Sequence, residues 1–165
     1  IEAHPPEDPN AKNGAVLLYE DDIKVIHVSG FGAHFFGENG EVKVNRGRFE
    51  FWRGGEKVAG FVDRTDKGSL GSALNFVQKE FLADAQVKLY QSRDHIRNFL
   101  DCVESRQKPI TCEVVGSRSA ICCHLMNQAY YNQAVIKWNP VEMTFAPGGG
   151  QPEWLTRDYR APWNV

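Results

Sequence analysis

Between Gly40 and Trp52 the chain reads GEVKVNRGRFEFW, and this stretch restricts the fold more than any other. Val42, Val44, Phe49 and Phe51 alternate with Glu41, Lys43, Arg48, Glu50 and Trp52, the two-residue period of a pleated strand with one apolar and one mixed face. Asn39-Gly40 ahead of it is the strongest short hairpin signal in the chain, and Arg46-Gly47 supplies another turn. AVLLYE and IKVIHVSG flank Asp21-Asp22 as an antiparallel hairpin, GAHFFG precedes Asn39-Gly40, and EKVAGFV adds a further strand. Residues 15–62 are therefore expected to form an antiparallel meander of about five strands. Helices cover one face of such a sheet; the other, carrying Trp52, is a natural place for another subunit.

After Gly68 the period lengthens. Leu70, Leu74, Val77 and Phe81 fall at helical spacing, and Ile96, Phe99, Leu100 and Val103 make a second stripe, with Ser92 placed to cap and Pro109 to stop. A third helix is expected over Ser117–Tyr131, with Ile121, Leu125 and Ala129 four apart, followed by a short strand in AVIKW. Strands, then helices, then one returning strand predict an α+β domain: an open, mostly antiparallel sheet with helices packed on one face.

At 165 residues the chain is expected to be a single domain over 1–165. HPPEDPNAKNG makes residues 1–14 an exposed lead-in, and APGGGQP makes 146–152 a flexible loop. A net charge of −2 provides no field to recruit nucleic acid or an anionic membrane, so neither is an expected partner. No apolar run approaches the roughly 20 residues that cross a bilayer. Cys102, Cys112, Cys122 and Cys123 lack paired zinc-knuckle spacing and read as free, partly buried thiols, so no metal site is expected. Their usage leans to a reducing compartment and a cytoplasmic location, with an exported form open if a leader has been removed.

No dinucleotide fingerprint, P-loop, zinc-protease or nucleophile-elbow motif is present, and no catalytic residue is assigned. His27 and His34 read as packed or hydrogen-bonded residues on strands. Asp94 and Asp101 share a helical face but lie about 10 Å apart over two turns and read as solvated charges. His124 shares the polar strip of its helix with Arg118.

SRDHIRNFLDCVESRQKPITCEVVGSRSAICCHLMNQAY, followed by IKWNP and YRAPW, resembles the C-terminal part of the Gfo/Idh/MocA oxidoreductases, the family named for glucose-fructose oxidoreductase and inositol dehydrogenase. FFGENGEVKVNRGRFE is similar, more loosely, to that family's F-x-G-x-x-G-x-(V/I)-x-V-x-R-G hairpin, so the likeness spans roughly residues 30–165. The resemblance implies the substrate-binding and oligomerisation domain of an NAD(P)-dependent sugar or polyol dehydrogenase. It implies homo-oligomers through the open sheet face and a sugar-like small molecule as substrate. The Rossmann domain that binds NAD(P), the catalytic lysine of an E-K-P motif and the Asp/His pair of that family lie upstream of every matching segment. No cofactor-binding residue is carried over, and the chain alone is not expected to be catalytic. His124, Tyr159 and Arg160 are the candidate substrate-facing residues, with Tyr159 and Trp163 expected to fold the tail back onto the helices. APGGGQP departs from the acidic, helix-forming segment that the family commonly has before YRAPW. The alternative is a stand-alone β-sheet module that binds carbohydrate or protein through exposed aromatics.

Overall fold

The computed structural model describes residues 1–30, 32–88 and 90–162. Among these residues the fold is α+β, with two open antiparallel sheets and three α-helices, arranged as two compact units. One unit joins residues 1–28 to the chain from Ser92 onward; the other is Ser29–Gln91.

The first unit is built on strands β1 (Glu2–His4), β2 (Val16–Leu18) and β3 (Lys24–Ile26), with β8 (Ile136–Asn139) and β9 (Thr144–Phe145) returning from the far end of the chain. Their order is β3-β2-β1-β8-β9. Ala3 pairs with Leu17 on one side and Ile136 on the other, so β1 is the middle strand. The expectation of an exposed lead-in over 1–14 is corrected here. Proline keeps the chain out of a ladder only where it occurs, and Glu2-Ala3-His4 precede Pro5; exposure sets in at Glu7–Asn10.

Helix α3 (Glu113–Asn132) lies on this sheet. It starts four residues before the expected Ser117, because Val114 and Val115 continue the turn that Cys112 opens. Leu125 and Ala129 meet Ala3, Leu17, Ile136 and Trp138 in the buried core. Trp138, Phe145 and Trp154 follow edge to face at 5.6 and 6.1 Å. The loop expected to be flexible at 146–152 is instead stitched to β8. Ala146 N–H donates to Lys137 O at 2.9 Å, and Lys137 N–H donates to Gly149 O at 2.8 Å. Its glycines permit this approach: a Cβ at Gly149 would stand 2.5 Å from Lys137 O.

Helix α2 (His95–Ser105) begins at Asp94, whose carboxylate accepts from Arg97 N–H at 2.9 Å; the expected cap, Ser92, instead donates to Asp94 O. The helix ends with Arg106 in the left-handed region, before Pro109 is reached.

The second unit is a meander of β4 (Ala33–Gly37), β5 (Gly40–Asn45), β6 (Arg48–Arg53) and β7 (Glu56–Phe61), with α1 (Leu70–Phe81) after it. The single five-stranded meander expected over 15–62 is thus two sheets. Gly30 and Gly32, at φ 149° and 143°, lie between β3 and β4, and β4 pairs with β5 in a separate sheet. A Cβ at Gly32 would lie 2.4 Å from Val44 O, so the turn into β4 requires glycine.

Candidate functional site

In an antiparallel sheet, directly paired residues share a face. The registers Val42↔Phe51, Val44↔Phe49 and Phe49↔Phe61 therefore collect the apolar set on one side. Phe81 of α1 meets Phe51 at 5.0 Å, and Phe49 and Val77 are buried, so α1 covers that side. The registers His34↔Lys43, Phe36↔Glu41, Glu41↔Trp52, Lys43↔Glu50 and Trp52↔Lys57 place the remaining side chains on the face opposite α1.

On that face Glu41, Lys43, Glu50 and Lys57 each have a close polar partner. His34 Nε2 lies 2.8 Å from Glu41 Oε2. Lys57 reaches Glu50 at 3.2 Å and Asp66 at 3.1 Å, while Lys43 stands 4.0 Å from Glu50. The Asp66 carboxylate also accepts from the N–H groups of Val62 and Asp63; the Val62 bond, followed by Lys57, holds its pKa below the ordinary carboxylate value. The same Asp66 contact raises the Lys57 pKa.

Aromatic rings are set among these pairs. His34 stacks on Phe36 at 3.8 Å, and Lys43 Nζ sits 5.0 Å above the Trp52 ring. Phe36 is 73% exposed. Trp52 Nε1 is buried and has no hydrogen-bond partner among the described residues. At the hairpin end of the sheet a cleft of about 470 Å³ runs between the turn at Gly37–Glu41 and the turn at Arg53–Gly55. With these groups paired locally and the Phe36 ring outward, this face offers stacking and a polar rim, the chemistry of recognition.

His124, Tyr159 and Arg160 lie elsewhere, in the first unit. His124 is on an exposed turn of α3; Tyr159 is 64% exposed and Arg160 is exposed too, beyond a 3₁₀ turn at Pro152–Leu155. No hydrogen bond, ion pair or ring contact joins any two of the three among the described residues. The expected docking of the tail is corrected for Tyr159, which stands in solvent; Trp163 lies outside the described residues. Sequence reasoning singled out Trp52 but missed His34–Phe36–Glu41 as a group. Asn39-Gly40 held part of the signal: the two-residue turn is Glu38-Asn39, one residue earlier, with Gly37 paired to Gly40, and that register brings His34 diagonal to Glu41.

The glycine run 148–150 does not fit a dinucleotide phosphate. Gly149 O accepts from Lys137 N–H of β8, and a Cβ at Gly150 would fall 2.7 Å from the Phe145 ring, so Gly149 and Gly150 serve close packing within the chain. His27 takes part in a structural bridge: Tyr130 Oη accepts from Ala15 N–H at 3.1 Å and lies 3.0 Å from His27 Nδ1. The four cysteines are unpaired. No protein-family model, no curated protein and no solved structure matches the chain.

Proposed function

We propose that this chain is the assembly and substrate-wall portion of an NAD(P)-dependent sugar or polyol dehydrogenase of the Gfo/Idh/MocA type, not catalytic by itself. Copies associate through the free face of the β4–β7 sheet. The reading rests on the ordered segments that resemble that family, and the observation that supports it best is the face opposite α1, where Phe36, His34 and Trp52 stand among locally paired groups. Two like faces meeting about a two-fold axis bury the rings while each subunit keeps its own ion pairs, the anatomy of an isologous interface. On this reading the nicotinamide cofactor is bound by the parent enzyme's upstream domain. His124, Tyr159 and Arg160 remain substrate-facing candidates of the parent.

Light scattering on the whole chain tests the association. The expected result is a dimer or larger species that Phe36→Glu weakens; a protein whose mass does not respond to Phe36→Glu refutes this role for the face. NAD(P) titration is expected to give no binding, and measurable binding would contradict the division of labour. The exposed Phe36 ring also favours a second reading, a carbohydrate-binding module. Quenching of Trp52 emission by a sugar on a monomeric chain would establish that reading in place of the first.

A further inference from the structure

Helix α2 is attached to its unit by one side only. Asn98 is 5% exposed; its Oδ1 accepts from Ile110 N–H at 3.1 Å and its Nδ2 donates to Cys102 Sγ, so this side closes on the loop that follows the helix. The apolar stripe turns elsewhere. Ile96, Phe99, Leu100 and Val103 are between 45% and 74% exposed, four large apolar side chains at i, i+3, i+4 and i+7 with water on them.

The spacing of the stripe is the same in both directions. Ile96 and Val103 are equidistant from the midpoint between Phe99 and Leu100, and both are β-branched. Arg97 and Glu104 lie on one flank of the stripe, about two turns apart on opposite sides of that midpoint, with opposite charge. A two-fold axis through the midpoint sets Ile96 against the partner's Val103. With a rise of about 1.5 Å per residue, it brings Arg97 within about 3 Å, along the axis, of level with the partner's Glu104. In antiparallel helices equivalent flanks meet, so the Arg97–Glu104 pair forms twice. The present Arg97 contact, to Asp101 at 2.6 Å, is an exposed pair within the helix that is cheaply exchanged.

We propose that α2 is a self-pairing helix: two copies of this chain associate by packing their α2 stripes antiparallel, with Arg97 of each copy on the partner's Glu104. The occupant is a second copy because the stripe and its flanking charges complement themselves. This surface is distinct from the β4–β7 face and does not depend on it.

The test is sedimentation velocity on the full chain in a Phe36→Glu background, which silences the sheet face, with helix content followed by circular dichroism. The Phe36→Glu protein should still self-associate. Arg97→Glu and Glu104→Arg should each weaken association about tenfold, since either places like charges at both symmetric contacts. The double variant, and an equal mixture of the two single variants, should recover it, with the mixture forming heterodimers in native mass spectrometry. The proposal is overturned if the Phe36→Glu protein is a monomer throughout the micromolar range, if neither single change weakens association, or if neither combination recovers it. Recovery by charge exchange is not expected of a stripe that docks on a different protein. Loss of association in Phe36→Glu alone would overturn α2 pairing while leaving the sheet-face reading standing.

Discussion

Asn98 shows how a polar residue on an amphipathic helix can carry the packing. Its amide is buried between α2 and the chain at Ile110 and satisfies a main-chain donor there. Replacing it by leucine leaves the Ile110 N–H in an enclosed position without that acceptor, and denaturant unfolding should show a loss of about 1–3 kcal/mol; a neutral result would mean that water replaces the amide freely. Helical periodicity picks out Ile96, Phe99, Leu100 and Val103 but does not tell which side a neighbour covers, so Asn98 was not legible beforehand. Tyr19 is a second case. Its hydroxyl lies 3.1 Å from Cys122 Sγ, and burial, followed by that hydrogen bond, pushes its pKa up from 10.0 to about 12. The raised value means that the contribution to stability is whole below pH 10 and is lost as pH rises through about 12. Between those limits stability should fall less steeply with pH in Tyr19→Phe than in the parent; parallel slopes would show that Tyr19 titrates as if exposed.

Elements were the most legible level, because turn and cap chemistry is local. Asn39-Gly40 and Arg46-Gly47 mark two hairpins of the β4–β7 sheet, and Gly40 is required by contact as well as by conformation: at φ 158° its Cβ would stand 2.3 Å from Trp52 O. The capping of α2 was legible in kind and displaced by two residues. SRDH offers both Ser92 and Asp94, and only Asp94 stands three residues ahead of an N–H its side chain can reach. Asp94→Ala should therefore cost about 1 kcal/mol of unfolding free energy. Ser92→Ala, which removes an exposed hydroxyl bonded to the Asp94 carbonyl, should stay within about 0.5 kcal/mol. Equal costs for the two would restore Ser92 as a cap. Of the candidate face, the aromatic Trp52 and the apolar-against-mixed alternation could be read in advance. The pairs that complete it, His34 with Glu41 and Lys57 with Asp66, depend on a diagonal contact across two strands and on the loop after β7, which the alternation along one strand does not contain.

At the scale of the whole molecule, the pairing that sequence reading missed joins the two ends of the first unit. β1 and β8 are more than 130 residues apart, and local turn signals carry nothing about which distant strand fills the middle of a sheet. Three residues with two prolines after them look dispensable, yet Ala3 is wholly buried, Trp138 N–H donates to Ile1 O at 2.8 Å, and β1 separates β2 from β8. Deleting residues 1–4 would strip two strands of their partner at once and open the Ala3–Leu17–Ile136 contact. Several buried hydrogen bonds at about 1 kcal/mol each, with the core contact added, approach the roughly 5–15 kcal/mol that holds an ordinary domain together. The deletion should accordingly abolish the cooperative transition of the unit that contains Trp138 and Trp154, seen as loss of their near-ultraviolet dichroism. Alanine at both Glu7 and Asp8, exposed positions a few residues further on, should leave that transition within a degree or two. If instead the shortened chain unfolds as the parent does, β1 is an ornament on the edge of β2, and the order β3-β2-β1-β8-β9 does not hold the first unit together.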